Sequence, residues 1–364
     1  MQNIVKAPRI FTGTEWLEDR SVVIEDGHIS QIISSSDAPV NSINYENCFL
    51  APAFIDVQVY GAAGKLLAVF PEASTLELMN SRFSAEGTCL FQPTLATNTV
   101  QVFRKGIDAT REYLEKGGVG VHGLHLEGPW INPVKRGAHI ESLIHSPTVE
   151  EARELLEYGK GVITMITLAP EVCSKEVIDL VLSYDIVISA GHSNATYAEA
   201  MNGFDKGITT VTHLYNAMSP LQHRAPGLTG AAMMSENTFA SIIPDGYHVD
   251  YTAIALAKRV MGKRLFAITD AVTETSSGYY PHHLAGNKYE SSGILSGSAL
   301  SMYQAFLNLV HEVDIEVEEA LRMCSLYPAQ VLKCDHLYGK IVPQAVGQLL
   351  VLDQQLKLVD IINQ

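Results

Sequence analysis

The chain has 364 residues, 47% of them apolar and 18% charged, which suits one large soluble domain with a smaller companion, or two domains of similar size. A formal net charge of -15 excludes broad binding to a nucleic-acid backbone but leaves room for an anionic ligand held by a few cations in one cleft. Five scattered cysteines (Cys48, Cys89, Cys173, Cys324, Cys334), no apolar leader in MQNIVKAPRI and no run approaching ~18 apolar residues read as a cytoplasmic chain without a disulfide framework, a thiolate zinc site or a membrane span.

Residues 1–50 read as short strands. SVVIEDGHISQII (21–33) carries two β-branched runs joined at Asp26-Gly27, a pair that tight hairpin turns favour because both positions tolerate positive φ. From residue 51 to 335 the rhythm changes to short apolar runs, most of them separated by helical patterns such as LELMNSRFSAEG, VEEARELLEYGKG and YTAIALAKRVMG. The runs are FIDVQVYG (54–61), CLFQPTLAT (89–97), HGLHLEG (122–128), VITMITLAPE (162–171), DIVISAGHS (185–193), TTVTHLYN (209–216), FASIIPDGYHV (239–249) and RLFAITDA (264–271). Strands alternating with helices predict βαβ units, and eight units in roughly 220 residues fit a closed (β/α)8 TIM-like barrel of the α/β class. An open doubly wound sheet is the alternative, with no GxGxxG or Walker-type loop to favour it. Beyond the eighth run the pattern stays helical, through LSMYQAFLNLVHE and VEEALRMCSLYPAQVLK. GQLLVLDQQLKLVDII (347–362) then reads as two strands around a polar turn. The two ends, 1–50 and 336–364, are expected to form one small β-sandwich domain into which the barrel, 51–335, is inserted.

Barrel active sites lie at the C-terminal ends of the strands. Five ionisable residues fall there: Glu127 on the third run, His192 on the fifth, His213 on the sixth, His248 on the seventh and Asp270 on the eighth. Singly, each has a structural explanation as a hydrogen-bonded core histidine or a helix-capping aspartate. On five strands together, they converge on one mouth. Two imidazoles and a carboxylate make a catalytic zinc set that leaves one position for water, and a free carboxylate beside it can take and return the water's proton. Glu127, His192 and His213 suit the ligand role, and Asp270 the base. Nucleophilic serine or cysteine chemistry lacks a GxSxG elbow or a cysteine in a His-bearing motif. His125, two residues before Glu127 on the same face of its strand, is either a buried structural histidine or a partner of the metal site. His122 and His223 carry less weight, and Met233, Met234 and Phe239 read as core.

At this point a resemblance becomes specific. APAFIDVQVYG (51–61), QPTLATN (92–98), GLHLEGPWINPVKRGAHI (123–140), SAGHSNAT (189–196), THLYNAMSP (212–220), RAPGLTG (224–230), DGYHVD (245–250), ITDA (268–271) and LSGSALSM (295–302) occur in the order found in the N-acetylglucosamine-6-phosphate deacetylase family of the amidohydrolase superfamily, which the chain resembles. The resemblance implies hydrolysis of an N-acetyl group from a phosphorylated amino sugar, with one divalent ion per chain held by Glu127, His192 and His213. Zinc is the first choice, and Fe, Mn and Co accept the same donors. It implies Asp270 as general base and acid, and His139 beside the acetamide, where it stabilises the developing oxyanion. It assigns Arg224, His248 and the Asn216-Ala217 backbone to the phosphate and Met302 to the sugar, in a homodimer where Arg224 and His248 reach the neighbouring subunit's site.

Three departures stand out: Ala53 and Ala225 replace a common Gly and Glu, and Gln58-Val59-Tyr60 stands where many amidohydrolases carry His-x-His for a second metal. The one-metal branch of the family usually has Gln-x-Asn there. The galactosamine epimer as substrate would keep every motif. A cyclic-amide hydrolase would more often carry His-x-His and a carbamylated lysine. A non-catalytic sugar-phosphate sensor would have lost a ligand or the base.

Overall fold

Residues 2–286, 288–291 and 293–363 are described by a computed structural model of the chain. At the N-terminal hairpin, Asp26 and Gly27 take φ of 47° and 78°. This lets strands Trp16–Glu25 and His28–Ser34 pair antiparallel with their right-handed twist intact. Strand Gln2–Phe11 pairs with the first of these and, on its other side, with Cys48–Pro52. The C-terminal strand Leu349–Asp353 joins the same sheet by pairing against Cys48–Pro52, and Leu358–Ile362 pairs with it in turn, so both ends of the chain build one seven-stranded sheet. Its apolar face, with Val5, Ile10, Val22, Leu50 and Val351, packs with Ile341 and Ala345 into a small core of its own.

The first barrel strand, Phe54–Val59, begins two residues after that sheet is left. It is followed by Thr88–Ala96, Leu124–Glu127, Ile163–Leu168, Val187–Ala190, Thr210–Val211, Phe239–Ile242 and Leu265–Ala267. Each pairs parallel with its neighbour in chain order. The ring is completed by backbone bonds from Tyr60 N to Ala271 O (2.9 Å) and from Asp270 N to Gln58 O (3.0 Å). The expected α/β barrel is therefore what forms, and the open sheet is not. Helices on the outside start at caps that the sequence supplies. Thr99, Thr148, Ser174 and Ser301 each accept a backbone N–H of the first turn, and Thr196 forms a reciprocal capping box with Glu199. Each such cap contributes about 1 kcal/mol and fixes where the preceding loop must end. Among the described residues no helix is long and apolar enough to cross a membrane.

Two expectations need correction. The chain does not stay helical after the eighth strand: His283–Ala285, Lys288–Ser291 and Ile294–Ser298 form a small antiparallel sheet before helix Met302–His311. Its strands are short and, apart from buried Ser296 and Ser298, half-buried to exposed, and they lack the apolar alternation that marks a strand in sequence. Met234 is not core: it ends helix Gly227–Met234 and is 65% exposed, whereas Met233 is buried.

Candidate active site

Each candidate ligand sits where a barrel strand gives way to its loop. Glu127 closes the third strand, while His192, His213 and Asp270 follow the fifth, sixth and eighth by two or three residues. Those three have φ of 47°, 36° and 53°. Non-glycine residues avoid this left-handed region at a cost of ~1–3 kcal/mol each, so three at one mouth mark a backbone bent to turn its side chains inward. All are buried, Glu127 to 2% exposure and Asp270 to 8%.

Oε1 of Glu127 lies 3.2 Å from Nε2 of His192 and 3.2 Å from Nε2 of His213, and those nitrogens are 3.1 Å apart. Nδ1 of His192 is 3.0 Å from the carbonyl of Lys135, which can only accept, so Nδ1 carries the ring proton. Burial pushes the His192 pKa down and keeps the ring neutral, leaving Nε2 a bare lone pair facing a carboxylate oxygen. Acceptor against acceptor at this spacing calls for a cation between them. Bonds of ~2.0–2.2 Å to a tetrahedral ion put ligand atoms roughly 3.3–3.6 Å apart, within a few tenths of the separations here. The donor set therefore fits a divalent metal. Glu127, His139 and His192 form a second trio whose ligand atoms lie within 4.8 Å of one another. In that trio His139 Nε2 faces the other oxygen, Oε2, at 3.2 Å, and its Nδ1 is 2.6 Å from Thr97 Oγ1. In the set through His213 the three ligand atoms lie within 3.2 Å of one another.

Burial raises the Glu127 pKa, but the imidazoles around it outweigh that effect and hold the carboxyl well below the usual range. Asp270 differs: burial pushes its pKa up, against the pull of His213. Gln58 Nε2 reaches Glu127 Oε1 (2.9 Å) and Asp270 Oδ1 (2.7 Å), and Tyr60 OH donates to Glu127 Oε2 at 2.5 Å. His125 lies one layer lower in the barrel. Its nitrogens meet Val57 O (3.1 Å) and Thr167 Oγ1 (2.8 Å), and burial lowers its pKa to about 4, so it is a neutral structural residue.

These residues open on a cavity of about 220 Å³. Pockets for drug-sized ligands span ~300–1,000 Å³, so this one suits something of monosaccharide size. Asn216, Ala217 and His248 also line it, and Tyr280, His282 and Leu295 line it from the segment after the eighth strand. His248 Nδ1 bonds Asp245 Oδ2 at 2.6 Å, while Asp245 Oδ1 accepts the backbone N–H of Tyr247 and His248 at 2.8 Å each. Sequence reasoning missed Asp245 as the orienter of His248, although it opens the DGYHVD segment. It missed Tyr280 and His282 because no strand end marked them. Arg224 and Met302 are not among the lining residues. Arg224 is exposed on the turn closed by Gln222 and Ala225, and Met302, 1% exposed, starts helix Met302–His311 within the core.

Comparison with known proteins adds four findings. Residues 49–363 match the amidohydrolase family. The chain is 31% identical to an N-acetylglucosamine-6-phosphate deacetylase of Haemophilus influenzae, over 94% of this chain and 93% of that protein. It is 30% identical to an N-acetylgalactosamine-6-phosphate deacetylase of Escherichia coli O157:H7, over 98% and 96%. The crystal structure of N-acetylglucosamine-6-phosphate deacetylase from Pasteurella multocida superposes with a TM-score of 0.94 at 32% identity, covering 100% of this chain and 98% of that one.

Proposed function

The chain belongs to the amidohydrolase family, and from that premise we propose that it hydrolyses the N-acetyl group of N-acetylglucosamine 6-phosphate to glucosamine 6-phosphate and acetate, in amino-sugar breakdown. The observation that carries this reading is the meeting of Glu127, His192, His213 and Asp270 at one cavity in a chain that matches sugar-phosphate deacetylases along nearly its whole length. We assign metal ligation to Glu127, His192 and His213, with zinc as the ion and one ion per chain. A bound divalent ion supplies Lewis-acid polarisation of the acetamide carbonyl and acidifies water. Asp270 takes a proton from water as the water oxygen bonds the acetamide carbon, and delivers that proton to the amine nitrogen as the C–N bond breaks and acetate forms. His139, oriented by Thr97 at Nδ1, offers Nε2 to the carbonyl oxygen as it gains negative charge.

The phosphate end rests on a different observation. Among the described residues the cavity lining contains no Lys or Arg. A dianion in a chain of charge -15 needs more than His248 and the Asn216-Ala217 backbone. Arg224 is exposed and unused in its own subunit's cavity, as expected of a residue that serves a second copy. We therefore read the protein as a homodimer whose Arg224 completes the neighbouring site.

Acetate release from a panel of N-acetylhexosamines, each with and without the 6-phosphate, tests the reading. N-acetylglucosamine 6-phosphate should be hydrolysed fastest. Faster turnover of N-acetylgalactosamine 6-phosphate would install the second reading, which the Escherichia coli relative supports. Equal turnover of the unphosphorylated sugars would remove the phosphate from the assignment.

A further inference from the structure

The two oxygens of Glu127 have different neighbours. Oε1 faces Nε2 of both His192 and His213, and Gln58 Nε2 donates to it from 2.9 Å. Oε2 accepts the Tyr60 hydroxyl at 2.5 Å and has His139 Nε2 at 3.2 Å. Tyr60 OH also stands 3.3 Å from Asp270 Oδ1, the oxygen that Gln58 Nε2 reaches at 2.7 Å. A carboxylate beside a divalent ion can bind through one oxygen or through both. Which it does depends on whether the second oxygen's lone pairs are already engaged.

We propose that Tyr60 is a positioning residue that engages Oε2 of Glu127, so that the carboxylate meets the metal through Oε1 alone and a coordination position stays open for water. The inference rests on the metal set assigned above. Tyr60 lies at the end of the first strand, where its backbone N–H bonds Ala271 O (2.9 Å) and holds the residue against the loop that carries Asp270. The ring lines the cavity, and its hydroxyl is the closest donor to Oε2. Gln58 acts beside it. Its amide hydrogens lie between two carboxylates, Glu127 and Asp270, that would otherwise repel, which keeps Asp270 Oδ1 tethered. In its role Tyr60 neither transfers a proton nor touches the metal.

Cobalt(II)-reconstituted protein tests this, because the visible absorption of cobalt weakens when its coordination number rises. Tyr60→Phe removes the hydroxyl and keeps the ring. It should lower cobalt affinity, measured by chelator competition, by about 10–100-fold, the usual effect of losing a partner of a metal ligand. It should also dim the visible bands as Oε2 joins the ion, with kcat falling while KM holds. Tyr60→Met, which lacks the donor without keeping the ring, should give the same spectrum and serves if the Phe variant does not fold. An unchanged spectrum and affinity in the folded variant would overturn the role given to Tyr60. Failure of the wild-type protein to take up cobalt would instead overturn the metal reading beneath it.

Discussion

In the proposed reaction Asp270 and the two histidines do different work, and single substitutions should separate them. Asp270 approaches the other site groups through Gln58 and Tyr60, while His192 and His213 face Glu127 Oε1 directly. Asp270→Asn keeps the side chain's size and should leave the metal in place. Turnover should fall by ~10²–10⁴-fold, the usual contribution of a general base and acid. A kcat within a few-fold of the parent, with acetate release followed directly, would show that another group moves the proton. His192→Ala or His213→Ala should behave otherwise, losing metal in elemental analysis along with activity. At this scale the ligand cluster was readable because each member follows an apolar run at a strand end. Asp245 and Thr97 were not. Their roles depend on which side chain lies opposite them, His248 for one and His139 for the other, and spacing along the chain does not carry that.

Between elements, loops hold the site together, and Glu171 is the clearest case. It lies in the 3-10 turn after the fourth barrel strand and accepts from Asn132 Nδ2 (3.0 Å), Asn194 N (2.6 Å) and Ser193 Oγ (2.7 Å). Those donors flank His192 on one side and open the loop to His139 on the other. Glu171→Ala should therefore weaken metal retention by about 10–100-fold and lower the melting temperature, read by chelator competition and calorimetry. Loss of melting temperature with unchanged affinity would make Glu171 a stability residue only. The sheet after the eighth strand offers a second test. Burial lowers the pKa of His282 to about 4, and its Nδ1 is 2.9 Å from Ser296 Oγ, so the segment needs the neutral ring. A histidine depressed in the folded state contributes stability that is fully present above pH ~6.5 and lost as pH falls towards 4. Local opening of residues 283–298 should grow easier by about 1.4 kcal/mol per pH unit across that window, and His282→Gln should flatten the trend. Hydrogen exchange at several pH values measures it, and equal acid sensitivity in the variant would sink the idea. Element reading succeeded for the eight barrel strands, where apolar runs alternate with capped helices. It failed for 283–298, where exposed positions and glycine turns look like loop. We propose the division between the small sheet and the barrel near 50/51 and 335/336, in keeping with the separate core around Ile10, Leu50 and Ile341, although Ala51 and Pro52 still pair within the small sheet.

At the scale of the whole molecule, the proposed site in one subunit holds the groups for bond breaking but few for the phosphate, and that asymmetry makes the proposed homodimer testable. The residues proposed to hold the metal and Asp270 all come from one barrel, yet the cavity they open on is lined by no Lys or Arg among the described residues. Leu221 and Tyr247 are exposed on the same loops as Arg224 and His248, where a partner would cover them. Charge-assisted hydrogen bonds contribute roughly 1.5–3 kcal/mol each, so Arg224→Ala should cost about one to two decades in kcat/KM on the phosphorylated sugar and little on the unphosphorylated one. That result alone would not say whose site the arginine serves. Mixing subunits does. In a heterodimer of Arg224→Ala and Asp270→Asn chains, the Arg224→Ala subunit keeps its own Asp270 and receives Arg224 from its partner. Its site is whole, and the other site lacks both. Random reassociation makes half the dimers mixed, each with one working site of two, so activity should recover to about a quarter of wild type from two nearly inactive parents. If each subunit's Arg224 served its own site, every mixed dimer would hold one Arg224→Ala site and one Asp270→Asn site. Mixing would then give only the average of the two parents, and the shared-site reading would fall.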